Sequence, residues 1–385
     1  IIHWYYLMVN ITIFNKDKKM HDMMGWARDL FPINRSITGD GVRETLDYLT
    51  KILPDLKTNV YETGQKVFDW EIPSEWSIKE AWIEHVETGK RFANFYDNNL
   101  HVVGYSEPID LVLDKSEILK NIHTEPNQKD VIPYVTSYYK KSWGFCMTET
   151  EKNNLPAGKY RAYINSRLFA GKLNLGEVHI KGETDSEIVF SSYICHPSMA
   201  NNELSGPLVL AALCSNLKNK MKKTKYSYRF LFVPETIGAI AYLSTNIKSL
   251  KKKVICGFVV SCVGDEKAYS HIQSRYGDNL ADKALNAALI NKKNAKAYSF
   301  LHRGSDERQF CAPGIDLPFA GFCKSKYNEY PEYHTSADDL SLITNKGLKQ
   351  SLELLEDIVK AFEIGLSPKV KILGEPQLGK RNLYP

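Results

Sequence analysis

From Glu187 onward the sequence repeats one unit: an apolar run, a polar turn, then a stretch with helical character. Residues 188–194, 228–233 and 254–260 are apolar runs of strand length, and 207–217 and 237–243 read as the helices between them. Strands separated by helices in this way must be joined by crossovers, which predicts an α/β fold with a mainly parallel sheet flanked by helices. Helical stretches at 280–289 and 348–362, with a strand-like 317–322 between them, extend the same layers.

The earlier half has a different texture. Apolar positions recur at helical spacing over 20–31 and 40–53, with Val42, Leu46, Leu49 and Leu53 on one side of the second segment. After Pro54 short alternating or aromatic runs follow, such as Val67-Phe68-Asp69-Trp70, Ala81-Trp82-Ile83 and Leu100-His101-Val102-Val103, broken by Pro, Gly and Asn. They read as a β-rich segment continuing to about Ile180. The expected organisation is therefore an α/β domain from 20–60 and 181–385, with a β-rich domain inserted at 61–180.

Composition narrows the function. The chain has 385 residues, enough for one large core or two domains. Its 50 basic and 45 acidic residues leave a net charge of only +5. The lysine runs Lys16-Asp17-Lys18-Lys19, Lys222-Lys223-Thr224-Lys225 and Lys251-Lys252-Lys253 are short. The last two immediately precede strand-like segments, so they read as solvated connections, and no nucleic-acid partner is expected. The apolar start, 1–14, is too short and too mixed to cross a bilayer, and the residues before Met20 read as an extension. The seven cysteines show no close-set pairs, which points to a reducing, cytoplasmic setting.

Chemistry-bearing residues sit at the ends of successive apolar runs. His196 closes Ser192-Tyr193-Ile194-Cys195-His196-Pro197 and is followed by Asn201-Asn202-Glu203-Leu204-Ser205-Gly206; Glu235 closes the second run, and His334 follows a third. Ligands of open α/β sheets collect beyond the carboxyl ends of strands. Two imidazoles and an acid there are the ingredients of a hydrolytic zinc site, in which a carboxylate takes a proton from water.

These segments resemble the zinc-dependent aminopeptidases with a co-catalytic metal pair. The similarity is closer to bacterial polysaccharide-biosynthesis proteins with an aminopeptidase-like domain. Arg35-Ser36-Ile37-Thr38-Gly39-Asp40-Gly41-Val42-Arg43, Asp130-Val131-Ile132-Pro133-Tyr134, Trp143-Gly144-Phe145-Cys146, Pro234-Glu235-Thr236-Ile237-Gly238 and Arg303-Gly304-Ser305-Asp306-Glu307-Arg308-Gln309 carry it. The resemblance implies a zinc exopeptidase-like fold and a small-molecule or peptide substrate; the subgroup often carries a further helical domain of winged-helix type beyond the point that corresponds to Leu383-Tyr384-Pro385.

Departures from the broad pattern bear on mechanism. Aligned on Ser205-Gly206, the metal-bridging aspartate becomes Asn202; the second Glu of the family's pair becomes Thr236; Ser261 stands near its later aspartate. This implies one zinc, held by His196, Asn202 and His334, with Glu235 as the base. An amide oxygen binds metal without charge and weakly. Three outcomes follow: weakened zinc binding, Glu203 supplying the charge if its turn aims it inward, or a metal-free, non-catalytic relative in a polysaccharide pathway. Asp306 is a ligand, a partner of a histidine, or a helix N-terminal carboxylate. Arg303 and Arg308 each either clamp a substrate carboxylate or phosphate or are solvated or salt-bridged. Tyr333 either bonds an oxyanion or packs. Cys195 is expected to face away from His196 by strand alternation, which removes it as a nucleophile.

Overall fold

The computed structural model describes residues 21–220, 223–365 and 373–382. The extension before Met20, Lys16 to Lys19, Lys222 and Leu383-Tyr384-Pro385 lie outside the described residues.

Eight strands form the principal sheet: β1 Lys57–Glu62, β2 Lys172–Ile180, β3 Glu187–Tyr193, β4 Ser227–Val233, β5 Val254–Val260, β6 Tyr269–Ile272, β7 Ala295–Tyr298 and β8 Phe319–Cys323. Their spatial order is β1-β2-β4-β3-β5-β8-β6-β7. The centre, β4-β3-β5-β8, is parallel, as is β6 with β7. The pairs β1·β2, β2·β4 and β6·β8 are antiparallel. The sheet is therefore mixed, which corrects the expectation of a mainly parallel one. The reason is connectivity: β1 and β2 reach the sheet edge from the β-rich segment, and β6 follows β5 with no helix between them.

The central strands read as continuous apolar runs because both their faces are covered. On one face Phe190 stacks between Phe230 and Phe258, with ring centroids 5.4 and 5.3 Å away. Each ring so buried contributes about 1.5–3 kcal/mol. On the other face Val189, Leu231 and Val259 join a second core.

Helices α1 (Met23–Leu30), α2 (Asp40–Ile52), α3 (Ser205–Lys220) and α6 (Asn345–Ile364) belong to the first core, and α4 (Ile237–Lys253) to the second. α5 (Leu280–Leu289) also packs into the first. α3 is buried along its length from Leu208 to Cys214, a consequence of lying between the sheet and other helices. At its start Gly206 is obligatory, since a Cβ there would meet Ser192 Oγ at 2.2 Å and Val260 O at 2.5 Å.

The β-rich segment supplies a four-stranded antiparallel sheet, ordered Arg91–Phe92, Glu75–His85, Lys159–Phe169 and Ile109–Asp114. Two small ribbons pair Lys66–Val67 with Trp70–Glu71, and Ile122–His123 with Phe145–Cys146. Leu100-His101-Val102-Val103, expected as a strand, is a 3-10 turn over Asn99–His101 followed by an isolated bridge from Val102 to Phe145. Asn98 caps that turn by accepting from Leu100 N at 2.8 Å, so a local side-chain bond wins over extension. Among the described residues no helix is long and apolar enough to cross a membrane.

Candidate functional site

Beyond the carboxyl ends of β3, β4 and β5 the chain leaves regular geometry. Ser198, Thr236, Cys262 and His334 all have φ between 46° and 65°. Such left-handed values are costly for residues with a Cβ, most of all for β-branched Thr236, and they concentrate where surrounding contacts hold a functional geometry.

The turn after His196 is a single π-helical turn, Ala200–Leu204, leading into α3. Asp338 makes it. Its carboxylate accepts from the N–H groups of Ala200, Asn201 and Asn202 at 3.1, 2.6 and 2.9 Å, and from Tyr330 OH at 3.0 Å. Burial pushes Asp338 up to about 6 against the pull of these donors. Asn201 fastens the same turn to β5's end through Asp265 and Gly264 N. Wide π turns of this kind recur at functional sites.

Within this frame the two histidines meet. The His196 and His334 rings lie 5.4 Å apart between centroids, and Tyr134 sits 5.1 Å from each. Tyr134 reaches them because its N–H donates to His334 O at 2.8 Å, next to a bridge between Pro133 and Thr335. The β-rich segment thus builds one wall of the site. Burial holds both imidazoles neutral, down to about 3; Arg35 adds to this for His196, and His196 does for His334. Neutral imidazole is the metal-binding form.

The His196 Nδ1 lies 2.8 Å from Glu203 Oε2, and its Nε2 is 3.7 Å from Glu235 Oε2. Asn202 is buried; its Nδ2 donates to Tyr193 OH at 2.8 Å, and its Oδ1 has no partner. His334 Nε2 is likewise shut off from solvent and unpartnered. Orphaned buried acceptors are rare because each forfeits a hydrogen bond. In donor chemistry two neutral imidazoles and an amide oxygen suit a weakly held zinc; Glu203 Oε1 and Asp306 Oδ2 are also buried without partners.

Among the described residues, the ligand atoms of Cys195, His196 and Glu203 lie within 4.8 Å of one another, a spacing that could hold a metal ion. That set is the poorer one, because Arg35 Nε stands 3.7 Å from Glu203 and its guanidinium would oppose a dication there. Cys195 corrects an expectation: β3 ends at Tyr193, so alternation no longer governs it, and its Sγ lies 3.5 Å from His196 Nδ1. Glu235 N–H donates to that sulfur at 3.2 Å, and burial pushes the thiol well above its usual range. Glu203 likewise reaches the site from behind the imidazole rather than from the side of Asn202.

Glu235 is raised to about 7, chiefly by burial and against the pull of Arg308. A carboxylate held there is poised to exchange a proton near neutrality. Asp306 accepts from Thr236 N at 2.7 Å, and Arg308 donates to Thr236 Oγ1 at 2.6 Å. Asp306 Oδ1 thus pins the turn that carries Glu235, the residue makes no cap bond to its own short helix, and its Oδ2 is buried without a hydrogen-bond partner. Arg303 is exposed and packs over Phe300 at 4.6 Å, which leaves Arg308 as the arginine beside Glu235. Tyr333 stacks flat on His334 at 3.9 Å, so packing accounts for its ring.

Tyr134, Tyr193, Asp338 and Arg35 were not legible as site residues. The only available signal was that Arg35 and Tyr134 fall inside blocks carrying the family resemblance.

The sequence profile of the family described as "Domain of unknown function (DUF4910)" matches residues 24–365. The chain belongs to this family. It is 40% identical, over 98% of its length and 86% of the other's, to a Clostridium acetobutylicum protein provisionally named for polysaccharide biosynthesis and an aminopeptidase-like domain. A crystal structure of a provisionally named peptidase from Clostridium acetobutylicum, also 40% identical, superposes with a TM-score of 0.89 over 94% of this chain and 84% of that one. A zinc aminopeptidase from Bacillus subtilis is only 14% identical yet reaches 0.63 over 90% of this chain and 96% of its own. The DUF4910 chain thus has the aminopeptidase-like fold that its motifs implied.

Proposed function

We propose that this DUF4910 chain is a zinc-dependent aminopeptidase-like hydrolase that cleaves an amide bond of a small peptide or amide-bearing substrate. One observation carries the reading: His334 Nε2 and Asn202 Oδ1, two ligand-type atoms beside His196, are buried without partners. His196, Asn202 and His334 would hold the ion. Bound zinc supplies a Lewis acid and lowers the pKa of water.

The chain's own residues do the rest. Glu235 accepts the water's proton on its carboxylate and returns it to the leaving amine; its pKa near 7 suits both transfers. Thr236, held by Asp306 and Arg308, keeps that carboxylate aimed at the histidines. Tyr134 and Tyr193, each 5.1 Å from His196, keep bulk water from the imidazole. The relative's name is the ground for placing the activity in polysaccharide biosynthesis, and seven buried, unpaired cysteines for placing it in the cytoplasm.

A second reading, a non-catalytic protein of the same pathway, is favoured by Asn202 itself. Its amide is neutral and already donates to Tyr193. Metal analysis before and after zinc loading at neutral pH separates the two, together with hydrolysis of aminoacyl p-nitroanilides. Stoichiometric zinc and a turnover that Glu235→Gln lowers by about 100- to 10,000-fold, with zinc retained, are expected. No zinc after loading removes the hydrolase reading.

A further inference from the structure

Two of the sequence blocks that carry the family resemblance meet in a crevice beside the histidines. Arg35-Ser36 opens the first block and Tyr134 closes the second; with Trp76, Tyr138 and Pro197 they line a narrow opening between the α1–α2 loop and the β-rich segment. Pro197 follows His196 in the chain, and the Tyr134 ring lies 5.1 Å from each imidazole, so the crevice and the histidine site share a wall.

Hydrogen-bond donors that the chain leaves unused collect here. Arg35 is buried; its Nε donates to His196 O at 3.0 Å and its Nη1 to Leu30 O at 2.7 Å, but Nη2 has no partner. Ser36 Oγ is buried and unpartnered as well, and the Tyr105 hydroxyl near it is taken by Thr38 Oγ1 at 2.5 Å and Ser74 O at 3.1 Å. Tyr134 OH and Tyr138 OH lie 2.7 Å apart and bond each other. Two hydroxyls that share one hydrogen bond leave one O–H proton without an acceptor, whichever of them donates. A donor left unused in a buried place loses its hydration without compensation. Three donors at one crevice therefore call for an acceptor from outside the chain.

The lining selects the chemistry of that acceptor. No Asp or Glu lines the crevice, and Glu203 Oε1 stands 3.7 Å from Arg35 Nε, too far for a hydrogen bond. A guanidinium N–H prefers an anionic oxygen to a neutral one, because charge-assisted bonds are roughly twice as strong. Space narrows the choice further. The crevice admits about one water-sized group, enough for the edge of a planar carboxylate and too little for a tetrahedral phosphate or a sugar ring.

We propose that this crevice is a carboxylate subsite, in which Arg35 Nη2, Ser36 Oγ and the free proton of the Tyr134 and Tyr138 pair hold the carboxylate of a small ligand. That ligand is the substrate itself or a free small carboxylate. Naming it the substrate rests on the hydrolase reading; the subsite does not.

Calorimetric titration of the full chain in chloride-free buffer compares formate with formamide, its neutral counterpart. Formate is expected to bind at least tenfold more tightly. Ser36→Ala removes one donor, and Arg35→Lys keeps the charge but not the fork; each is expected to weaken formate about 10- to 100-fold. If Arg35→Lys fails to fold, Ser36→Ala carries the test. Hydrolysis of alanylalanine and of alanylalanine amide then assigns the source. A KM about tenfold lower for the free carboxylate, lost in Ser36→Ala with kcat kept, gives the subsite to the substrate. Equal KM values with formate still bound give it to a free carboxylate.

Formate no tighter than formamide, or unchanged by the substitutions, overturns the proposal: bound water then meets these donors, and the hydrolase reading is untouched. If formate binds as expected but neither zinc nor turnover is found, the subsite stands and the hydrolase reading falls.

Discussion

Asn202→Asp puts a charge where the metal reading says one is missing. The side chain is buried, with Tyr193 OH at 2.8 Å and one oxygen unpartnered. Without metal, the new carboxylate keeps one hydrogen bond, because the tyrosine hydroxyl can turn and donate. Its other oxygen stays buried and unpartnered, so the metal-free protein is expected to lose about 1–3 kcal/mol. With zinc bound the sign reverses. A unit charge roughly 4 Å from a dication gains about 8 kcal/mol at an effective dielectric of about 20. Desolvation of the carboxylate takes back several kcal/mol, leaving a net gain on the order of 3 kcal/mol. That corresponds to roughly 100-fold tighter zinc. Chelator competition measures the affinity. Thermal unfolding with and without saturating zinc measures the consequence, a zinc-induced stabilisation about 2.7 kcal/mol larger than in wild type. An intact fold with unchanged zinc affinity would falsify the ligand role of position 202, and the argument for a weakened metal site with it.

Three other outcomes are expected. Burial pushes Glu187 up, but His179 and Arg229 outweigh it and hold it to about 2, against an ordinary 4.5. A depressed carboxylate stabilises above its unfolded pKa, and that stability fades as pH falls toward the folded one. Glu187→Gln should therefore cost about 3 kcal/mol in urea unfolding at pH 7, with the penalty shrinking between pH 5 and 3; a pH-independent cost would refute the ion-pair account. Gly206→Ala would press a methyl onto Ser192 Oγ and Val260 O, and is expected to lower the urea midpoint by at least the about 1–3 kcal/mol of overpacking. Cys195, buried with its thiol raised well above the usual range, should resist iodoacetamide at pH 8 in folded protein while reacting in urea; rapid native alkylation by mass spectrometry would contradict that burial.

Much of the α/β half could be read directly from residue order. Strands 188–194, 228–233 and 254–260 and the helices between them were legible because hydrophobic period is a local property, set by which face of each element meets a core. Their carboxyl ends marked His196 and Glu235, a third run marked His334, and the resemblance added Asn202 and Arg308. Asp306 was less legible: a carboxylate at a helix start reads alike whether it holds its own helix, a histidine or a metal, and the structure sets its Oδ1 on the Thr236 N–H.

Tertiary structure alone decided the rest, and for one reason. Pairing across long chain separations depends on where loops return, which no local period encodes. β1 and β2 thereby join the sheet antiparallel, making it mixed. The 130s segment thereby pairs beside His334 and delivers Tyr134 against both imidazoles. Asp338, 136 residues beyond Asn202, shapes the turn that aims it. Arg35, 161 residues before His196, lies behind it, close to the carboxylate that contacts its ring. The sequence determined which side chains could do chemistry; the fold decided which of them meet.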